Sequence, residues 1–193
     1  MKKGIARFQQ AVDKDPNYAP AYAGLAECHV VLAYSYGDPQ ELFPKAKAYA
    51  EKALALDGTL AEAYTTLAGV IENSDWDWQS AEREYKRAID LNANYPTAHQ
   101  RYSLFLIKMG RTEDSLTKIK RALDLDPISL IINTSFGSRL YHARYYNQAI
   151  EQLRKTLDLD PNYLTAHINL GMVYTRIRPL PGWRRVFRGA RPG

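Results

Sequence analysis

Apolar positions recur with a helical period from the second residue of this chain onward. In 2–15, KKGIARFQQAVDKD, Ile5, Phe8, Ala11 and Val12 form one stripe at the spacing of an amphipathic helix. Pro16 ends that helix, because proline has no N–H and restricts the residue before it. The same pattern predicts helices over 19–34, with Tyr22, Leu25, Ala26 and Cys28 on the packing side, and over 41–56, with Leu42, Ala46, Ala50, Ala53 and Leu54. Gly37-Asp38-Pro39 is the loop between those two. Further helices are expected over 60–73 and 78–91, joined by Asn73 to Asp77, and over 96–109 and 112–125. Gly110 is the candidate C-cap there and Thr112 the candidate N-cap. Helices over 129–143, 146–159 and 163–177 complete the series.

These helices come in pairs with a fixed period. Pro127 and Pro161 lie 34 residues apart, and LDLDP repeats letter for letter at 123–127 and 157–161. Ala93 holds the place of the proline 34 residues earlier; Gly58 lies 35 residues before Ala93, and Pro16 lies 42 before Gly58. An Asn-Tyr pair follows this place at Asn17-Tyr18, Asn94-Tyr95 and Asn162-Tyr163. Small residues recur as Gly4, Ala46, Ala81, Ser115 and Ala149. The stretch 149–174 carries Ala149, Leu153, Thr156 and Pro161, then His167, Leu170, Gly171 and Tyr174. In that order it resembles the tetratricopeptide signature, a helix-turn-helix unit of about 34 residues. Ala149 and Gly171 would permit close helix approach, with Leu153 and Tyr174 filling the gaps between helices.

The resemblance covers 2–177 and implies an all-α, right-handed α-α superhelix. The expected units are a half repeat at 2–18, full repeats at 19–59, 60–94, 95–128 and 129–162, and a half repeat at 163–177. It also implies a concave groove lined by the first helix of each pair. The groove positions fall on Ala23-Gly24, Thr65-Thr66, Gln100-Arg101, Thr134-Ser135 and Ile168-Asn169, a neutral set suited to hydrogen-bonding a peptide or partner helix. Chaperone-binding members carry a clamp of Lys, Asn and Arg. Only Arg101 and Asn169 match it, and Glu27 stands where an Asn would serve, so a chaperone-tail adaptor is not expected. The phrases at 75–99 and 122–134 are similar to the tetratricopeptide region of bacterial multidomain signalling and transcriptional regulators. That likeness implies an interaction module of a larger regulator.

Composition changes this picture in one respect. Of 193 residues 46% are hydrophobic and 24% charged, an ordinary globular balance, and the formal net charge is +5. Six arginines from Arg176 onward account for that excess; without them 20 basic residues face 21 acidic ones. The body is thus near neutral, which disfavours nucleic acid as its partner. Residues 178–193 read as a basic Pro/Gly/Arg-rich tail, disordered or the product of truncation. Trp183, Arg184, Arg185 and Arg188 would be its contacts to nucleic acid or an anionic surface, the alternative function. Pro179, Pro181 and Gly182 forbid the helix that should cover 163–177, so that uncapped helix invites a homodimer.

Other features narrow the chemistry. No apolar run reaches membrane-span length, Met1-Lys2-Lys3 is followed by no apolar signal core, and Cys28 is the single cysteine. A cytoplasmic location, no metal and no cofactor are expected. His29, His99, His142 and His167 never stand at i, i+4, and His99 and His167 occupy one repeat slot, which favours packing over ligation. One of Trp76 and Trp78 is expected to plug a helix junction, and Glu82, Arg83, Glu84, Lys86 and Arg87 to form a solvated face. No phosphate loop, HExxH, nucleophile elbow or CxxC occurs, so the chain is read as a non-enzyme.

Overall fold

A computed structural model describes residues 2–35 and 37–177. The tail contacts Trp183, Arg184, Arg185 and Arg188 lie outside the described residues. Ten α-helices and no strand occur among those described: α1 (Lys2–Lys14), α2 (Ala19–Ser35), α3 (Pro39–Leu56), α4 (Ala61–Val70), α5 (Trp78–Leu91), α6 (Pro96–Lys108), α7 (Thr112–Leu125), α8 (Leu130–His142), α9 (Tyr146–Leu159) and α10 (Leu164–Ile177). α2, α4, α6 and α8 each pack on the odd-numbered helix that follows and on the next even-numbered one. The two rows thus build an all-α solenoid with α2, α4, α6, α8 and α10 stacked along one side.

Small side chains set the spacing within the pairs. Ser115 Oγ donates to Ser103 O at 2.6 Å, and both serines are fully buried. In the next pair a Cβ on Gly137 would stand 2.6 Å from Leu153 Cγ, so the glycine makes room for a fully buried leucine. Gly171 holds the same register 34 residues on, yet a Cβ there would meet nothing within 4 Å. Tyr174 is 40% exposed, and its hydroxyl receives Arg154 Nη2 at 3.0 Å. The close approach expected at Gly171 and the gap-filling expected of Tyr174 are therefore corrected. Leu164, Ile168, Met172 and Ile177 of α10 are exposed beside them because no described helix packs on that side.

The turns explain the repeated phrases. The side chains of Asp15, Asp57, Asn92 and Asp160 each accept the backbone N–H two residues on, at 2.9–3.0 Å. In four turns a polar side chain then closes back on the turn carbonyl. Tyr22, His99, Asn133 and His167 reach the carbonyls of Pro16, Ala93, Pro127 and Pro161 at 2.8–3.2 Å, each six residues back. For the two histidines this sets Nε2 as the donor, and it accounts for them as turn clasps.

The extra residue between Gly58 and Ala93 has a visible place. The small residues Ala68 and Ser103 each follow their turn position by ten residues, whereas Ala81 comes one residue later than Ser115 and Ala149 do. The insertion thus falls between 68 and 81, where the helix widens into a π turn over Ile71–Asp75. The helix expected over 60–73 therefore runs as α to Val70 and as π to Asp75. Trp76 follows at φ 56 and is 68% exposed, edge-on to Trp78, which packs on Phe105 and plugs the junction.

Thr112 is the first helical residue of α7 and not its cap; Arg111 precedes it and makes no side-chain capping bond. Gly110 does close α6: at φ +75 it donates to Ile107 O, and Arg111 N–H reaches Leu106 O at 2.9 Å. α8 ends in the same way with Arg144 at φ 66, donating to Tyr141 O, while Tyr145 N–H reaches Leu140 O. A left-handed residue with a Cβ costs about 1–2 kcal/mol, part of which glycine loses again in the unfolded chain. Arg144→Gly is therefore expected to stabilise the fold by about 0.5–1 kcal/mol, read as a higher urea midpoint. An unchanged midpoint would refute the strain at Arg144.

Candidate functional site

The stacked first helices enclose a groove of ≈ 550 Å³. Its apolar part comes from Val30, Val31 and Tyr34 of α2, Leu104 of α6 and Ile131 and Ile132 of α8. Ile131 is 64% exposed and Tyr34 and Leu104 also face solvent, so this strip is open apolar surface. A smaller recess of ≈ 380 Å³, lined by Pro20, Ala23, Gly24, Glu62 and Tyr95, adjoins it at Glu27.

Between the two lies a charged bar. Arg101 Nη2 of α6 is paired with Glu27 Oε1 of α2. Burial works against the Arg101 charge, but Glu27 outweighs it and raises the guanidinium pKa. Deeper in the groove, Glu72 of the π turn is 2% exposed and holds Lys108 Nζ at 2.5 Å and Tyr85 OH at 3.0 Å. Burial and the Glu72 charge together hold the Tyr85 hydroxyl well above its ordinary pKa, so it stays a neutral donor. Arg139 of α8 is 4% exposed and enters no ion pair among the described residues. Burial lowers its pKa to about 10, with Glu72 opposing.

The groove residues read from the sequence divide into three sets. Gln100 and Ser135 are half-buried and joined, Gln100 Nε2 donating to Ser135 Oγ at 3.0 Å, and Arg101 adjoins them in the bar. Thr65 and Thr134 are buried and line neither cavity, which corrects their assignment as groove donors, whereas Thr66 lines the smaller recess and its Oγ1 reaches Glu27 Oε2 at 3.2 Å. Thr65 Oγ1 returns to Ala61 O at 2.8 Å and Thr66 Oγ1 lies 2.9 Å from Glu62 O, the inward back-bonding common for helical threonine. Asn169 sits half-buried on α10, with its amide donating to Thr165 O at 2.8 Å. Ala23 and Gly24 line the smaller recess, where a Cβ on Gly24 would stand 2.5 Å from the Phe8 ring.

The buried charges Glu72 and Arg139 were not legible in the sequence. One signal was available. Counting from the turn position, Glu72 holds the place of Val30, Ile107, Tyr141 and Thr175, and Arg139 that of Cys28, Val70, Phe105 and Val173. A charge in a register that is otherwise uncharged and mostly apolar marks a buried ionic group.

The predicted solvated face on α5 is more than solvated. Glu82 accepts from Tyr102 OH at 2.7 Å, Arg111 Nη1 at 2.7 Å and Lys86 Nζ at 2.9 Å, tying α5 to α6 and α7. Partial burial raises its pKa, but these three donors outweigh that and lower it from 4.5 to about 2. A carboxylate with a depressed folded pKa adds stability above its unfolded value and loses it as the pH falls through the folded one. Glu82→Gln should therefore flatten the loss of stability between pH 4.5 and about 2. Parallel pH curves for the two proteins would show that these bonds contribute nothing.

No protein-family model matches the chain, and no curated protein sequence does. Solved structures do match. A thermophilic TPR protein of Thermus thermophilus superposes with a TM-score of 0.74 at 18% identity, covering 88% of either chain. PilF of Pseudomonas aeruginosa gives 0.68 at 22% identity over 83% of this chain and 69% of its own. YrrB, a TPR protein with an unusual peptide-binding site, gives 0.56 at 21% identity over 88% of this chain and 83% of its own. At such identities the likeness concerns the fold alone, and that fold is the tetratricopeptide-like helical solenoid which the in-phase repeats predict.

Proposed function

We propose that the chain is a protein-interaction scaffold which holds a peptide or partner helix in the groove formed by α2, α4, α6 and α8. The observation that carries this reading is the open apolar strip of Val31, Tyr34, Leu104 and Ile131 beside the Glu27–Arg101 bar. Apolar contacts there supply affinity and the bar fixes orientation, the usual division of labour in a peptide groove. The peptide-binding site of the structural neighbour YrrB supports the same use of this fold. The absence of a catalytic motif from the sequence supports a non-enzymatic role. The phrases at 75–99 and 122–134 support placement as the cytoplasmic interaction module of a bacterial signalling or transcriptional regulator, with repeat boundaries at 19–59, 60–94, 95–128 and 129–162.

Leu104→Glu and Ile131→Glu test it, since both positions face solvent and the fold tolerates charge there. Each should weaken a groove partner by about 10-fold or more in a pull-down quantified by mass spectrometry. The chain ending at Ile177 should keep that partner. A partner held equally by both variants but lost with the shortened chain would move the function to the basic tail.

A further inference from the structure

The groove and its smaller recess carry an excess of negative charge. Together they are lined by four carboxylates, Glu27, Glu62, Glu72 and Asp126, and by one cation, Arg101. Arg101 answers Glu27, and Lys108 answers Glu72. Glu62 and Asp126 enter no ion pair among the described residues. Asp126 also departs from its repeat. Asp15, Asp57, Asn92 and Asp160 hold the same place and each accepts the backbone N–H that closes its turn. Asp126 accepts no such bond among the described residues and lines the groove.

Glu62 is placed toward the ligand by the repeat itself. Four residues after the turn positions stand Pro20, Glu62, Thr97, Ile131 and Thr165, and the first four line one cavity or the other. Glu62 is the one charge in that register. Around it Pro20, Ala23 and Leu60 supply apolar wall, half-buried Tyr95 supplies an aromatic one, and Glu27 completes the recess. Burial raises the pKa of the Tyr95 hydroxyl, and the charges of Glu27 and Glu62 add to that rise, so both carboxylates act on this ring. Arg101 neutralises one of the two, which leaves the recess one charge negative.

We propose that this recess receives a cation of the peptide held in the groove, carried by a lysine or arginine side chain or by a free amino terminus, with Glu62 as its counter-charge and Tyr95 as its aromatic wall. The groove then selects a segment that is basic as well as apolar. This rests on the groove reading above. Lysine and arginine lay their methylenes on apolar surface while the head group stays at a charge, and a cation gains further from an aromatic face. An acidic group is opposed at the same place by Glu62.

Random dodecapeptides are synthesised as two arrays, one with acetylated and one with free amino ends, and probed with the whole chain. Binders are then measured by fluorescence anisotropy against Glu62→Gln, Glu62→Lys and Glu51→Lys, with circular dichroism as the check of fold. Glu51 is an exposed residue of α3 that lines neither cavity, so it controls for net charge. The expected binders carry lysine or arginine at a fixed distance from an apolar residue, or are confined to the free-end array. Glu62→Gln should weaken them about 5-fold and Glu62→Lys about 10-fold or more, while Glu51→Lys leaves them unchanged. Added salt should shrink the difference between the parent and Glu62→Gln. Binders held equally by Glu62→Lys but lost with Leu104→Glu and Ile131→Glu would overturn the role of the recess and leave the groove reading standing. No binder from either array, or binders held equally by all of these variants, would overturn both.

Discussion

Replacing Glu72 with alanine is expected to lower the free energy of unfolding by about 3 kcal/mol, a large fraction of what a domain of this size possesses. The carboxylate is 2% exposed and is, among the described residues, the one acceptor for the buried Tyr85 hydroxyl. Leaving such a donor unsatisfied costs about 1–3 kcal/mol by itself. Lys108 loses its partner too, but its side chain is 38% exposed and can turn to water, which limits the loss on that side. Arg139 loses the one opposite charge that offsets its burial. Glu72→Gln keeps the shape and an acceptor for Tyr85, so about half of the loss should return. Urea unfolding of the three proteins decides it, and a Glu72→Ala midpoint equal to the parent's would show that the π turn carries no buried charge.

That residue also marks the limit of what the chain reveals unaided. The phase of Pro127, Pro161 and the small residues is enough to place the helices, because close packing and turn termination act on single residues at a fixed distance along the chain. The extra residue between Gly58 and Ala93 is equally visible in the spacing. Its resolution as a π turn is not, since a loop of one more residue would satisfy the same count. Only the π turn brings Glu72 within reach of Tyr85 and Lys108.

The groove is read less fully for the same reason. Repeat position puts Gln100 and Arg101 on the groove wall, with Ser135 accepting from Gln100 beside them. Thr65 and Thr134 hold the same repeat position as Gln100 but are buried, Thr65 turning back to Ala61 O, and position cannot distinguish that from a groove donor. The contact that organises the groove, Glu27 with Arg101, joins residues 74 apart. Its pairing depends on the rotation between repeats, which no local pattern encodes.

Arg139→Met carries the second large effect, and its sign is opposite. Replacing a buried guanidinium by an apolar side chain of similar length removes the desolvation of the charge while its methylene packing is kept. Ser103 retains its bond to Gln100 O, and half-buried Ser138 can turn to water, so neither hydroxyl is stranded. Glu72 retains Lys108 and Tyr85. The substitution is expected to stabilise the fold by about 1–3 kcal/mol, or to raise the melting temperature by several degrees. A drop in melting temperature for Arg139→Met would instead mean that the contacts of the guanidinium with Ser103 and Ser138 outweigh the cost of its buried charge.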